Sequence, residues 1–105
     1  MQSDYIHQMF SVEGQVIVIT GGGGILCGTM ARELAKAGAK IAVLDIQLPA
    51  AQKVVADITA AGGEAIAIET DVLSKESLQQ SAEQVLARYG RVDALINGAG
   101  GNKKQ

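Results

Sequence analysis

Aromatic residues, proline and cysteine are all scarce in this sequence of 105 residues. It contains no Trp, one Phe and two Tyr, so large rings contribute little to any core. With 48% hydrophobic and 19% charged residues, the chain can still build a core from Ile, Val, Leu and Ala. That composition is typical of parallel sheets covered by helices. The one cysteine, Cys27, excludes an internal disulfide and cannot alone form a metal site, so we expect no metal.

Basic clusters and long apolar runs are missing as well. The net charge is −2 and the one adjacent basic pair is Lys103 with Lys104, which argues against nucleic acid or an anionic membrane as a partner. No apolar run approaches the ~20 residues that a membrane helix needs. Asp4 and His7 interrupt the N-terminal segment where a signal peptide has its apolar centre. We therefore expect a cytoplasmic protein, and we expect no functional role for His7, the single histidine.

Strand-like and helix-like segments alternate along the chain. Short apolar runs predict strands over Gln15–Thr20, Lys40–Leu44, Glu64–Ile68 and Val92–Ile96. Between them, apolar residues three or four apart predict three helices. The expected inward-facing residues are Leu26, Met30, Leu34 and Ala37 in the first helix, Ala51, Val54, Val55 and Ile58 in the second, and Leu78, Ala82, Val85, Leu86 and Tyr89 in the third. The alternation predicts one α/β domain over residues 1–105, with parallel strands joined by right-handed crossovers.

Proline, serine and glycine mark the expected helix ends. Pro49 fits the first turn of the second helix, where a missing N–H removes no hydrogen bond. Ser74 is expected to cap the N-terminus of the third helix. Gly38 and Gly90 stand where a glycine commonly follows the last helical turn.

The most informative stretch is a glycine run between a strand and a helix. The apolar segment Val16–Thr20 leads directly into Gly21, Gly22, Gly23 and Gly24, and a helical pattern follows through Ile25 and Leu26. Glycine lets a phosphate approach the backbone, and the first N–H groups of a helix carry partial positive charge. We interpret this run as a pyrophosphate site for a dinucleotide. The alternative is a flexible linker, but linkers are usually flanked by polar sequence.

Asp45 follows the second predicted strand, 21 residues after Gly24, and this spacing suits an acid that binds the adenosine ribose. A carboxylate accepts hydrogen bonds from the 2′- and 3′-hydroxyls and repels a 2′-phosphate. The sequence therefore predicts NAD rather than NADP as the cofactor. The alternative is a solvated acid that merely ends a strand.

Two further candidates stand at the ends of the third and fourth predicted strands. Asp71 and Val72 could present a carboxylate and an apolar wall to an adenine ring, although Asp71 is nearly as well explained as an acid at a helix entry. The stretch Asn97-Gly98-Ala99-Gly100 offers small residues and one amide near a ribose or nicotinamide; the alternative is a bare turn. In open α/β sheets, ligands bind beyond the carboxyl ends of the strands, where all these candidates lie.

Together these motifs resemble the N-terminal half of a short-chain dehydrogenase/reductase. The family pattern is T-G-x-x-x-G-x-G, an acid after strand two, D-V after strand three and N-N-A-G after strand four, and the resemblance runs from Phe10 to Asn102. Three positions depart from it: Ile25 and Cys27 stand at the second and third glycines, and Gly98 replaces the second Asn. Within the family, the glycine run and the Asn97 stretch are similar to a subgroup of D-mannonate oxidoreductases or fructuronate reductases.

The resemblance implies a Rossmann-type, doubly wound parallel sheet with strand order 3-2-1-4, cut after the fourth strand. It implies a homo-oligomeric NAD-dependent oxidoreductase that acts on a small carbonyl or alcohol substrate, such as a sugar acid. The family's catalytic Ser and Tyr-x-x-x-Lys would lie downstream, because neither Tyr5 nor Tyr89 has a Lys four residues later. Strand four would then be an open edge beside exposed apolar residues of the third helix.

Two other functions remain open from the sequence. The chain could hold NAD without performing chemistry, or it could be a methyltransferase-type Rossmann domain, which also has a glycine turn and an acid after strand two. The Asn97 turn argues against the methyltransferase.

Overall fold

A computed structural model describes residues 11–98 of the chain, and all seven predicted elements are present in that range. In order they are β1 Val16–Thr20, α1 Ile25–Lys36, β2 Lys40–Asp45, α2 Leu48–Ala60, β3 Glu64–Glu69, α3 Lys75–Tyr89 and β4 Ala94–Asn97. The predicted start of the fourth strand at Val92 is wrong by two residues. Asp93 bonds to β1 partly through its side chain, and the regular ladder begins only at Ala94.

The four strands form one parallel sheet in the order β3-β2-β1-β4, which confirms the predicted Rossmann-type arrangement. β1 is central, with β2 on one side and β4 on the other. The strand order therefore reverses beside β1. In parallel sheets with this reversal, ligands bind beyond the carboxyl ends of the strands at the reversal point.

The sheet buries apolar residues on both faces, which explains why β1 and β2 read as continuous apolar runs. On one face, Ile19 and Ile41 pack against the small and apolar residues of α1 and α2. On the other face, Val18 and Leu44 pack with Val85 of α3. In α2 the predicted inward face is confirmed: Ala51, Val54 and Ile58 are buried and Val55 packs beside them.

The predicted inward face of α1 is wrong in part. Its buried residues are Gly28, Ala31 and Ala35, whereas Leu26 is 74% exposed. Helix α1 lies too close to α2 for a large side chain: a Cβ on Gly28 would be 3.2 Å from a methyl group of Val54. Small residues therefore occupy the contact; of the predicted face, Leu34 packs beside the core, but apolar spacing alone misplaced Leu26.

Helix α3 begins as predicted, because the Ser74 hydroxyl accepts a hydrogen bond from the Ser77 N–H at 3.1 Å. Its predicted inward face is only partly confirmed, since Val85 is buried but Leu86 is 50% exposed. Leu95 of β4 is also largely exposed. Within the described residues, β4 is an edge strand beside an apolar groove, as the sequence predicted.

Asp93 fixes the start of β4 against β1, and it makes the free energy of unfolding depend on pH in the acid range. Its carboxylate accepts hydrogen bonds from the Val16 N–H at 2.8 Å and from the Arg91 guanidinium at 2.6 Å. The bond from Arg91, followed by the one from Val16, holds the pKa of the Asp93 carboxyl below its ordinary value near 3.8. Since the folded pKa is the lower one, the stabilisation is present above the ordinary value and is lost as pH falls through the folded value.

We expect Asp93→Asn to lower the free energy of unfolding at pH 7 and to flatten its fall between about pH 5 and pH 3. Urea unfolding across that range measures the effect. The matched control is Glu83→Gln, which removes an exposed carboxylate from α3. Equal pH profiles for the wild type and Asp93→Asn would contradict the prediction.

Candidate cofactor site

The glycine turn after β1 is pressed between β2 and the start of α2. The Gly22 N–H donates to the Leu44 carbonyl at 3.2 Å, and a Cβ on Gly22 would lie 2.7 Å from a methyl group of Val43. A Cβ on Gly23 would lie 2.7 Å from the Cβ of Ala50 and 2.8 Å from its carbonyl carbon. Gly21, at φ +67°, turns the chain out of β1. The turn therefore needs glycine because no side chain fits there.

Helix α1 begins at this turn with its first N–H groups exposed to a ligand. Gly24 is the N-cap residue at φ −73° and ψ 171°, and no side chain caps the helix. The first bond of the helix runs from the Gly28 N–H to the Gly24 carbonyl at 2.8 Å. The N–H groups of Ile25, Leu26 and Cys27 precede that bond and have no intrahelical partner. Their partial positive charge favours an anion at this position.

Asp45 lies at the end of β2 and holds the glycine turn. One carboxylate oxygen accepts from the Gly23 N–H at 2.9 Å, and the other accepts from the Gln47 N–H at 2.8 Å. The side chain is half-buried. The sequence predicted that Asp45 would stand near the turn, but it did not predict the bond to Gly23. No local signal encodes a contact between residues so far apart in the chain.

The end of β4 is joined to the end of β1. The Thr20 hydroxyl donates to the Asn97 side-chain oxygen at 2.7 Å, and the Gly98 N–H donates to the Thr20 carbonyl at 3.0 Å. Asn97 and Gly98 are thus placed beside the glycine turn, on the side of β1 opposite to Asp45. Ala99 and Gly100, also predicted for this site, lie outside the described residues.

Asp71 and Val72 lie in the loop between β3 and α3. The Asp71 carboxylate accepts from the Leu73 N–H at 3.0 Å, and its own N–H donates to the Ser77 hydroxyl at 2.9 Å. These are the contacts of a helix-entry turn, the alternative that the sequence left open for Asp71. Val72 lines the groove between α3 and β4. A cofactor-binding role for either residue stays a prediction.

Tyr89, whose pKa is shifted, lies away from this site. Tyr89 lies beside Lys40, which begins β2, at the amino-terminal edge of the sheet. Burial, followed by the charge of Glu64, raises the pKa of the Tyr89 hydroxyl. Across residues 11–98, no three His, Cys, Asp or Glu side chains gather where they could hold a metal ion. In the same range, no helix combines the length and the apolar character that crossing a membrane requires.

These features are those of a dinucleotide-binding fold, and comparison with known proteins defines the class. The family model described as short chain dehydrogenase matches residues 15–105, so the chain belongs to the short-chain dehydrogenase family. The methyltransferase alternative is thereby excluded.

Individual relatives are similar over most of this chain but are much longer. An uncharacterized oxidoreductase of Bacillus subtilis, UxuB, is 52% identical over 88% of this chain, which spans 33% of the length of that relative. A Haemophilus influenzae protein proposed to be a D-mannonate oxidoreductase, whose structure contains bound NAD, is 43% identical in sequence, with a TM-score of 0.84. The match covers 93% of this chain and 35% of the Haemophilus chain. A 7α-hydroxysteroid dehydrogenase, whose structure contains NADH and a 7-oxo bile acid, is 36% identical in sequence, with a TM-score of 0.85. The match covers 90% of this chain and 37% of the dehydrogenase chain.

We expect Gly23→Ala to lower the free energy of unfolding by about 2 kcal/mol, because its methyl group would overlap the backbone of α2 at Ala50. Gly24→Ala is the matched control. A Cβ there meets only the Gly21 carbonyl, at 3.4 Å, so we expect a smaller loss of about 1 kcal/mol or less, that of placing alanine at an N-cap. Urea unfolding measures both variants, and equal losses would contradict the packing described for the turn.

Proposed function

We propose that residues 1–105 are the NAD-binding, N-terminal part of an oxidoreductase that transfers hydride between a nicotinamide and a carbonyl or alcohol substrate. The observation that carries the proposal is the bond between the Asp45 carboxylate and the Gly23 N–H. It places an acid beside a glycine turn and an uncapped helix N-terminus. An acid and an anion site side by side suit the ribose and the pyrophosphate of one dinucleotide.

The described residues fit such a cofactor. Gly22 and Gly23 pack against β2 and α2 where no Cβ fits, which holds the backbone of the turn in place, and the first N–H groups of α1 provide donors for a pyrophosphate. Asp45 would accept hydrogen bonds from the adenosine ribose, and Ile25 is 93% exposed at the helix start. A bound nicotinamide would supply the hydride acceptor or donor. Asn97 ends β4, which is separated from the strand of Asp45 by β1, and would lie toward the nicotinamide half.

The preference for NAD over NADP rests on the charge of Asp45. A carboxylate at this position favours the free 2′-hydroxyl and repels a 2′-phosphate. Two of the similar structures contain NAD or NADH, which supports the same preference. Because the pyrophosphate is common to both cofactors, discrimination between them depends on the groups beside the adenosine ribose, where Asp45 is proposed to bind.

We expect Asp45→Asn to weaken NAD binding about tenfold or more, because it removes one charged acceptor, and to narrow the preference for NAD over NADP. Isothermal titration with both cofactors, on the protein expressed from its complete reading frame, measures the change. Asp57→Asn is the control, since Asp57 is an exposed carboxylate of α2, paired with Arg32 of α1. An unchanged ratio of the NAD and NADP affinities in Asp45→Asn would refute the role of Asp45.

For the substrate, we propose a sugar acid of the D-mannonate or D-fructuronate type. The support is the similarity to the Haemophilus influenzae protein, together with the glycine run and the Asn97 stretch. The chain spans about a third of its relatives, so the substrate pocket and catalytic groups are assigned to the remainder of a longer protein. A homo-oligomer and a cytoplasmic location belong to the same proposal and rest on the family resemblance and on the composition.

The substrate proposal is tested against a steroid, because a hydroxysteroid dehydrogenase is as similar in structure, with a TM-score of 0.85 against 0.84. The complete protein is assayed with NADH and either D-fructuronate or a 7-oxo bile acid. We expect at least about a hundredfold higher kcat/KM for the sugar acid, as a polar site rejects an apolar analogue strongly. The 105 residues alone are expected to bind NAD without turnover. Higher kcat/KM for the steroid would overturn the substrate assignment.

A further inference from the structure

Two of the departures from the family pattern meet in space. Cys27 stands in the first turn of α1, at the third glycine of the pattern, and its half-buried side chain packs against the core. Gly98 follows β4, at the second asparagine of the pattern. The hydrogen bond from the Gly98 N–H to the Thr20 carbonyl brings this residue to the start of the glycine turn.

The two residues are complementary in size. A Cβ on Gly98 would overlap the Sγ of Cys27, while it would lie 3.6 Å from the Cβ of Cys27, an ordinary contact distance. The same Cβ would lie 3.0 Å from the Thr20 carbonyl oxygen, a tight contact that requires the backbone to give by a few tenths of an ångström. The sulfur atom therefore occupies the space that a side chain at position 98 would need. With the thiol in this position, a side chain at 98 requires either the Cys27 side chain or the backbone around residue 98 to move.

We propose that Cys27 and Gly98 form a size-complementary pair that sets the distance between the N-terminus of α1 and the end of β4, and thereby positions the nicotinamide half of the cofactor. This inference rests on the proposed NAD-binding function. Protein interiors are packed closely enough that one extra methyl group forces neighbouring groups to move. Here the groups that would move are the first turn of α1, with its pyrophosphate donors, and the end of β4.

The position of the pair predicts which half of the cofactor is affected. Asp45, assigned to the adenosine ribose, lies on β2, and Gly98 follows β4 on the other side of β1. A displacement between α1 and β4 leaves the bonds of Asp45 to Gly23 and Gln47 in place. Disturbing the pair should therefore weaken binding of NAD more than binding of AMP, which carries the adenosine ribose and one phosphate but neither the second phosphate nor the nicotinamide half.

The experiment is a double-mutant cycle on the complete protein, with NAD and AMP affinities measured by isothermal titration at a temperature where every variant is folded. We expect Gly98→Ala to weaken NAD binding about tenfold and AMP binding less than about twofold. Cys27→Ala alone should change NAD affinity less than about threefold. The double variant C27A/G98A should return to within about threefold of the wild type, because the overlapping sulfur is gone.

The matched control is C27S/G98A, in which the serine Oγ replaces the sulfur atom and NAD binding should stay as weak as in Gly98→Ala. Additive effects of Cys27→Ala and Gly98→Ala would overturn the pairing. Equal losses of NAD and AMP affinity would overturn the positioning role and leave a purely structural contact.

Melting temperatures of the same variants separate this inference from the proposed function. Gly98→Ala should lower the melting temperature by about 5 °C, and C27A/G98A should recover at least half of that loss. If the wild type fails to bind NAD but this recovery occurs, the proposed function falls and the size complementarity stands. If NAD binds and no recovery occurs, the pairing falls and the proposed function stands.

Discussion

The glycine turn between β1 and α1 is the constraint on which the site depends. Gly22 lies against Val43, and Gly23 lies against the first turn of α2, at distances where no Cβ fits. The Asp45 carboxylate fixes this contact by accepting from the Gly23 N–H. Because β1 and β2 are fully paired and buried, the turn is held by rigid strands. Its backbone donors are therefore presented in one arrangement, which lowers the ordering that a ligand has to impose.

The same closeness determines how the helices pack. Helix α1 starts directly from the turn, so its axis is drawn toward α2, and only Gly28 and small alanines fit the contact. The larger residues Ile25 and Leu26 are left exposed at the helix start. Apolar residues exposed next to an anion site are consistent with contact to a flat, partly apolar ligand. Close packing against α2 and contact with a cofactor therefore both favour large apolar residues at the exposed start of α1.

Charge is arranged differently on the two sides of β1. On the β2 side, Asp45 brings a carboxylate that suits hydroxyl groups and disfavours a phosphate. On the β4 side, the side-chain amide of Asn97 accepts a hydrogen bond from the Thr20 hydroxyl, and the backbone N–H of Gly98 donates one to the Thr20 carbonyl. Between them, the uncapped N-terminus of α1 provides positive partial charge. A dinucleotide has the same order of groups: a ribose with free hydroxyls, a pyrophosphate and a second ribose bearing the reactive ring.

Local patterns in the sequence were sufficient to predict the elements, the parallel direction of the strands and the edge at which the candidate residues stand, while the strand order was implied by the family resemblance. Strands and helices differ in apolar period, Ser74, Pro49 and the glycines mark helix ends, and parallel strands bring their carboxyl ends to one edge. These are properties of short segments, so they can be recognised in a single sequence. The positions of Asp45 and Asn97 followed from the same logic.

Contacts between distant residues were decided only by the tertiary structure. The inward face of α1 depended on its distance from α2, which no spacing of apolar residues encodes, and Leu26 was therefore misassigned. The bond from Gly23 to Asp45 and the fit of Cys27 against Gly98 arise where separate strands end side by side. In the sequence, Cys27 and Gly98 are two unrelated exceptions to a motif. In the folded chain they share one small volume, and the size of each residue limits the size of the other.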